Sequence, residues 1–320
     1  MKAKLIENIC LIFLLLLGIV VGQASGAVIN VNSNGGDNNT SIQNAINNAQ
    51  NGDTIFVSPG VYQENVKVNK EVTITTNNEQ SENGVRTYVI GAVPGDHVFS
   101  VNANNVTIEG FYISGSSPEE GTQSGIYLEG VQNCSLANNA LVFNSIGISL
   151  NNAWNNYLDS NFVTIGDKGI AFANAGQNTV SNNLVLANSL GIALNNSVNN
   201  TLTGNLISKN DFGLSGAGAQ NNTIIANSIY LNGIGAQFTQ SANNILYQNE
   251  FANFLNAEDD ANNLWNTTTA GNFWSDYDGV DADGNGIGDT PYIINQNGVG
   301  DYMPLVNETY PGNTSSGNMS

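Results

Sequence analysis

The sequence predicts an all-β fold, a parallel β-helix (solenoid) built from coils of about 22 residues, and three observations carry that prediction. Glycines recur at Gly125, Gly147, Gly169, Gly191, Gly213 and Gly235, each 22 residues from the last. Asparagines keep the same step at Asn139, Asn161, Asn183, Asn205, Asn227 and Asn249. Apolar columns run in phase with both, one of them Leu136, Leu158, Val180, Leu202, Ile224 and Leu246, another Leu141, Val163, Val185, Ile207, Ile229 and Phe251. A fixed period of this length marks a repeat architecture. Each repeat holds only short β-type runs such as Gly147–Leu150 and Phe162–Ile165, punctuated by Asn and Gly, and nothing long enough for a helix. Three short strands per coil, paired in parallel with the next coil at ~4.8 Å, satisfy that pattern.

The elements follow in order. Residues 27–265 are expected to form the solenoid, with 27–60 as its N-terminal cap and the regular coils over 125–255. An exposed first coil must be hidden. Thr40 or Ser41 can cap a short amphipathic helix over Ser41–Ala49, with Ile42, Ala45, Ile46 and Ala49 on one face. The Asn column is expected to serve a bend, because Asn tolerates left-handed backbone angles and can stack its amide on the next coil. The Gly column is expected to serve a second bend. Gly110 and Asn139 lie too far apart for one coil, so about seven extra residues are expected to bulge out near Ser114–Thr122. Residues 266–306 are an aromatic and Asp-rich C-terminal cap, and 307–320 a polar tail expected to be disordered.

Charge bounds the partners. With 26 acidic against 7 basic residues and a net charge of −19, the chain repels phosphate backbones and anionic headgroups. Nucleic acid is excluded as a partner, and polyanionic glycans are disfavoured. Residues 1–26 read as a signal peptide: Lys2 and Lys4, an apolar run from Ile9 to Val21, then small residues at Ala24, Gly26 and Ala27. With that segment removed, no membrane insertion is expected, and Cys134 is left as a lone thiol, so no disulfide framework exists. Asn-x-Ser/Thr sequons begin at Asn38, Asn39, Asn105, Asn133, Asn195, Asn199, Asn221, Asn266, Asn307, Asn313 and Asn318, which suits export. Asn133 is the doubtful one, since Cys134 beside it is expected to face the core.

Two stretches carry a resemblance. Thr40–Ile74, "TSIQNAINNAQNGDTIFVSPGVYQENVKVNKEVTI", resembles the opening coil of pectate-lyase-like right-handed β-helix proteins. Gly271–Ile294, "GNFWSDYDGVDADGNGIGDTPYII", with Gly300–Val306, resembles the C-terminal signature of the NosD-like β-helix family. The resemblance implies a right-handed solenoid and an exported or surface location. It also implies a copper-maturation role for the family's namesake, with carbohydrate binding or hydrolysis as the broader label.

The residues weigh those functions unequally. Copper needs soft or imidazole ligands, and beyond the leader the chain offers only His97, Cys134, Met303 and Met319, so no copper is expected. Lyase and hydrolase motifs are absent. Carboxylate pairs that could serve hydrolysis are Glu119 with Glu120, Asp159 with Asp167 or Asp211, and Glu258 with Asp260. Asp281, Asp283, Asn285, Ile287 and Asp289 in "DADGNGIGD" place oxygens at alternate positions with Gly286 at the sixth, the pattern of a calcium loop. Position twelve is Tyr292 rather than Glu, so Asp276, Asp278 and Asp301 are the candidates for missing ligands. Trp154 and Tyr157 are the candidate sugar platforms, and Trp265, Phe273 and Trp274 are expected to cover the solenoid end. Taken together, the expectation is an exported, calcium-stabilised and non-catalytic β-helix of the cell surface, recognising glycans or cell-envelope proteins. The alternative is a polysaccharide-active enzyme beside the Ser114–Thr122 loop.

Overall fold

The computed structural model describes residues 26–33, 40–76, 86–116, 121–260 and 262–306. The expectations on the leader through residue 25, on the tail, on Glu119 and Glu120, and on the sequons at Asn38, Asn39, Asn307, Asn313 and Asn318 lie outside those residues. Three parallel sheets of eleven, nine and ten strands run the length of the molecule, and one strand from each makes a coil. One such coil reads Ile146–Asn151, Tyr157–Asp159 and Phe162–Thr164 before Lys168–Ala173 restarts the cycle. Strand order in each sheet follows the stack, so every strand pairs with the equivalents in the coils below and above.

The interior is apolar because the columns face inward. Leu136, Leu158, Val180, Leu202, Ile224 and Leu246 are all fully buried, and so is the Leu141–Phe251 column to within a percent or so. Burying a side chain of this size contributes about 1.5–3 kcal/mol, repeated in every coil. At the N-terminus the helix spans Ile42–Asn48, and Ser41 caps it by accepting from the Asn44 N–H at 3.3 Å. Glu64 accepts two more free helix amides, from Ile42 at 2.9 Å and Gln43 at 3.0 Å. Ile42, Ala45 and Ile46 close the first coil.

Three expectations need correction. The left-handed residue of the bend is not the ladder asparagine but the one before it: Asn138, Ser160, Asn182, Gly204, Ala226 and Gln248. The ladder asparagine turns inward and is there for its amide. Asn161 donates through Nδ2 to the Leu136 carbonyl at 2.8 Å and to Asn183 Oδ1 at 3.0 Å, while its own Oδ1 accepts from Asn139 at 3.1 Å. The ladder runs on to Asn272. A second, unanticipated ladder stacks Asn156, Asn178, Asn200, Asn222, Asn244 and Asn263. A third links Asn188, Asn210, Asn232 and Asn253. Each saturates buried polar groups that would otherwise destabilise the fold.

The Gly column does not bend the chain either. Gly169 lies inside the strand Lys168–Ala173, and a Cβ there would sit 2.5 Å from the Gly191 carbonyl and 3.1 Å from Asn188 Nδ2. Glycine is required by the close approach of the coil above. The long coil is also shorter than expected: Phe111 reaches Asn139 across 28 residues where regular coils span 22, six extra rather than seven.

Candidate functional site

Three bends per coil separate the sheets, and their residue types differ. At two of them the left-handed positions carry Asn, Gln, Ser, Gly or Ala. At the third, between the ten- and nine-stranded sheets, they read Phe143, Ile165, Ala187, Lys209 and Leu231, all with φ of 56–59°. Left-handed backbone disfavours bulky and β-branched residues by roughly 1–2 kcal/mol each. Phe143, Ile165 and Leu231 are moreover 63%, 45% and 62% exposed. These side chains oppose both the backbone preference and the hydrophobic effect, which is where function is sought.

The edge is concave. A groove of about 560 Å³ is lined by Phe143, Ile165, Asp167, Ser189, Lys209 and Asp211 among others. Asp167 begins a coil and accepts from Ser145 Oγ at 3.2 Å. Asp211 occupies the same position two coils on, about 9.6 Å away by coil spacing. Asp167 and Asp211 both line the groove, where their carboxylates can accept from hydroxyl groups. Asp159, the other carboxylate considered for such a pair, stands at a different bend and is held below its usual range by the Ser181 hydroxyl, with further bonds from Ser160 and Asn182.

A second cluster sits where the long loop rejoins the stack. His97 accepts the Ser124 N–H through Nδ1 at 2.9 Å and stacks on Tyr127 with centroids 4.2 Å apart and planes 9° from parallel. The Tyr127 hydroxyl donates to Glu129, and Asn151 Nδ2 donates to both at 3.1 and 2.9 Å. Burial lowers the His97 pKa, opposed by the charges of Asp96 and Glu129, and burial raises that of Tyr127. Burial therefore favours the neutral imidazole, whose Nε2 makes no hydrogen bond among the described residues.

The remaining expected site residues are dispersed. Trp154 and Tyr157 are exposed at 38% and 56%, Trp154 on the bend between the nine- and eleven-stranded sheets and Tyr157 opening the strand after it, away from the groove. In the cap, Asp281 accepts from the amides of Gly284, Asn285 and Gly286, Asp283 from that of Asn285, and Asn285 Oδ1 from that of Ile287. These bonds hold the Asp281 carboxyl below its usual range. Asp289 ties the loop ends together by accepting from Ala282 at 2.9 Å. Two of the supplementary ligands are committed elsewhere: Asp276 binds Asn256 and Tyr292, and Asp301 is buried against Asn272, Trp274 and Met303. Among the described residues no three His, Cys, Asp or Glu side chains come together as a metal site.

The family described as periplasmic copper-binding protein (NosD) matches residues 46–279, more than half of the chain. The chain belongs to the NosD family. Copper itself finds no fit among the described residues of this NosD-family chain. His97 spends one nitrogen on Ser124, Cys134 is buried with its thiol pushed up to about 11, and Met303 lies in the cap. A cell surface glycoprotein of Methanothermus fervidus is 36% identical over 134 residues, 41% of this chain and 20% of that protein, so the chain spans about a fifth of its relative. Among solved structures, an alginate lyase from Paenibacillus sp. str. FPU-7 is 16% identical with a TM-score of 0.50, covering 77% of this chain and 97% of its own. DFA-IIIase from Arthrobacter chlorophenolicus A6 is 13% identical with a TM-score of 0.55, covering 73% and 75%. Such likenesses establish the fold.

Proposed function

We propose that this NosD-family protein is exported to the cell surface and binds an uncharged glycan along the Phe143–Leu231 edge without cleaving it. One observation carries the reading: exposed apolar side chains occupy left-handed positions that the same fold fills elsewhere with Asn and Gly. Aromatic and aliphatic surfaces meet the C–H faces of sugar rings, and Asp167, Ser189 and Asp211 along the groove supply acceptors for hydroxyls. A net charge of −19 disfavours anionic polymers. The N-terminal apolar run, and a relative named for the cell surface, support export.

The test exploits the strain. Phe143→Asn with Ile165→Asn and Leu231→Asn relieves left-handed backbone and removes apolar contact, so the fold keeps its melting temperature or gains a few degrees. On a glycan array the triple variant should lose at least tenfold in binding. Unchanged binding, or a silent array alongside capture of an envelope protein by the same edge, sinks the glycan reading.

Calcium belongs to the same proposal as a stabiliser of the cap. Its support is the Asp281–Asp289 loop, whose alternate side-chain oxygens are already oriented by the loop amides. A melting temperature indifferent to chelator, and to Asp281→Ala with Asp283→Ala, removes the ion from the account.

A second reading, a polysaccharide-active enzyme, is favoured by the His97–Tyr127–Glu129 cluster beside the loop. A neutral imidazole and a phenol bonded to a carboxylate are acid–base groups. Release of sugar from neutral polysaccharides, abolished by His97→Ala and by Tyr127→Phe, would establish it over the binding reading.

A further inference from the structure

The sequons fall into two structural classes, and the difference points to a modification site. Asn105, Asn133, Asn199 and Asn221 all occupy one bend column, between the nine- and eleven-stranded sheets, with φ of 54–59°. All four are exposed, and none makes a side-chain hydrogen bond among the described residues. The residue after each points into the coil: Val106, Cys134, Asn200 and Asn222 are buried. The third residue turns outward again as the first of a strand: Thr107, Ser135, Thr201 and Thr223. Out, in, out leaves the acceptor amide and its hydroxyl on the surface together. Cys134 does face the core beside Asn133, and a buried middle residue is what the other coils of this column also have.

The other described sequons are closed. Asn195 lies within the strand Leu190–Asn195, and Ser197 is fully buried and donates to the Asn195 carbonyl at 2.8 Å. Asn266 uses its amide on both sides, donating to the Thr267 carbonyl at 2.7 Å and accepting from Tyr302 at 3.0 Å.

We propose that Asn105, Asn133, Asn199 and Asn221 form a row of N-glycosylation sites along this one edge, and that Asn195 and Asn266 stay bare. The proposal rests on the export reading, because the donor is a lipid phosphate- or pyrophosphate-linked sugar handled by a membrane transferase. Asn Nδ2 forms a bond to the anomeric carbon, the bond from that carbon to the phosphate oxygen breaks, the phosphate leaves with the electron pair, and the amide proton passes to a base of the transferase. Glycans placed here leave the Phe143–Leu231 edge clear, because it lies at a different bend.

The experiment maps glycopeptides by mass on the full protein purified from its own host, with envelope and cytosol fractionated. Asn199→Gln and Asn221→Gln variants resolve neighbouring acceptors, and they fold because Gln177 already fills this column at φ 56°. Sugar adducts on the four corner peptides, those at Asn199 and Asn221 each lost in its own Gln variant, and none at Asn195 or Asn266, are expected. Envelope protein with unmodified corner peptides, or with sugar on Asn195, overturns the proposal and leaves export standing. Unmodified protein confined to the cytosol overturns both.

Discussion

The regular stack and the C-terminal cap solve the same problem by opposite means. In the stack, each coil presents backbone donors and acceptors at its bends, and one residue type answers them. Every ladder asparagine receives from the coil below and gives to the coil above, so one coil's solution serves as the next coil's template. The cap has no coil above it. It ends the ladder on Asn272, whose amides are answered by the buried carboxylate of Asp301 at 2.6 and 3.4 Å. It then covers the open core with rings: Trp274 lies 4.6 Å from Phe251 on one side and 4.2 Å from Tyr292 on the other. Stacked repeats stabilise each other through nearest-neighbour interfaces, so the stack tolerates variation between the ladders but not within them. The cap depends on single residues with no repeat behind them.

The largest expected effect breaks a ladder at its centre. Asn183→Ala removes the side-chain acceptor of the Asn161 amide and the Nδ2 donor to the Leu158 and Ser181 carbonyls and to Asn205 Oδ1, at a side chain that is itself buried. Each unsatisfied buried group costs about 1–3 kcal/mol, so a loss of about 5 kcal/mol is expected from denaturant titration. A loss under about 1 kcal/mol would mean that water enters the bend, and that the ladder is not what holds the coils. The cap answers with a smaller effect. Trp274→Ala opens a cavity against Phe251 and removes the Nε1 donor to Asp301 at 3.0 Å, for about 4 kcal/mol. Amide exchange should rise first near Phe251 and Trp265 and leave the coils around Asn183 protected. Uniform exchange along the solenoid would refute the nearest-neighbour picture.

The same comparison explains what the sequence made legible. The coil length was readable because six repeats keep every column in phase. The roles within a column were harder to assign, because adjacent columns both contain Asn, as at Asn138–Asn139 and Asn182–Asn183. The distinction was present in the other repeats. The left-handed position varies to Ser160, Gly204, Ala226 and Gln248, as a backbone requirement allows, while the ladder position stays Asn because only its amide fits. Phe143, Ile165 and Leu231 keep the same period, but Ala187 and Lys209 stand between them in that column, and only the φ angles and the exposure mark it as an outward bend. His97 and Tyr127 carried no such signal. They come from different coils on either side of the irregular loop, and no period relates them. The cap loop showed its ligand-like spacing, but not that Asp301, one of the extra carboxylates considered for it, is committed to Trp274 and Asn272.

The smallest expected effect lies at the irregular coil, between stack and loop, and its sign follows from His97. Burial lowers the folded pKa of this imidazole below its ordinary value of 6.5, the charges of Asp96 and Glu129 only partly offsetting it. The unfolded chain therefore takes up a proton first as pH falls. Stability contributed by neutral His97 is full above the unfolded value and is lost as pH drops through it toward the folded one. Protonation would also place a hydrogen on Nδ1, where the Ser124 amide now donates. Melting temperature measured from pH 7.5 to 5 should fall by a few degrees in the native chain. It should fall less in His97→Asn, whose side-chain oxygen can accept the same amide without titrating. Equal slopes in the two proteins would show that the carboxylates of the cap, and not the loop histidine, set the acid limit of the fold.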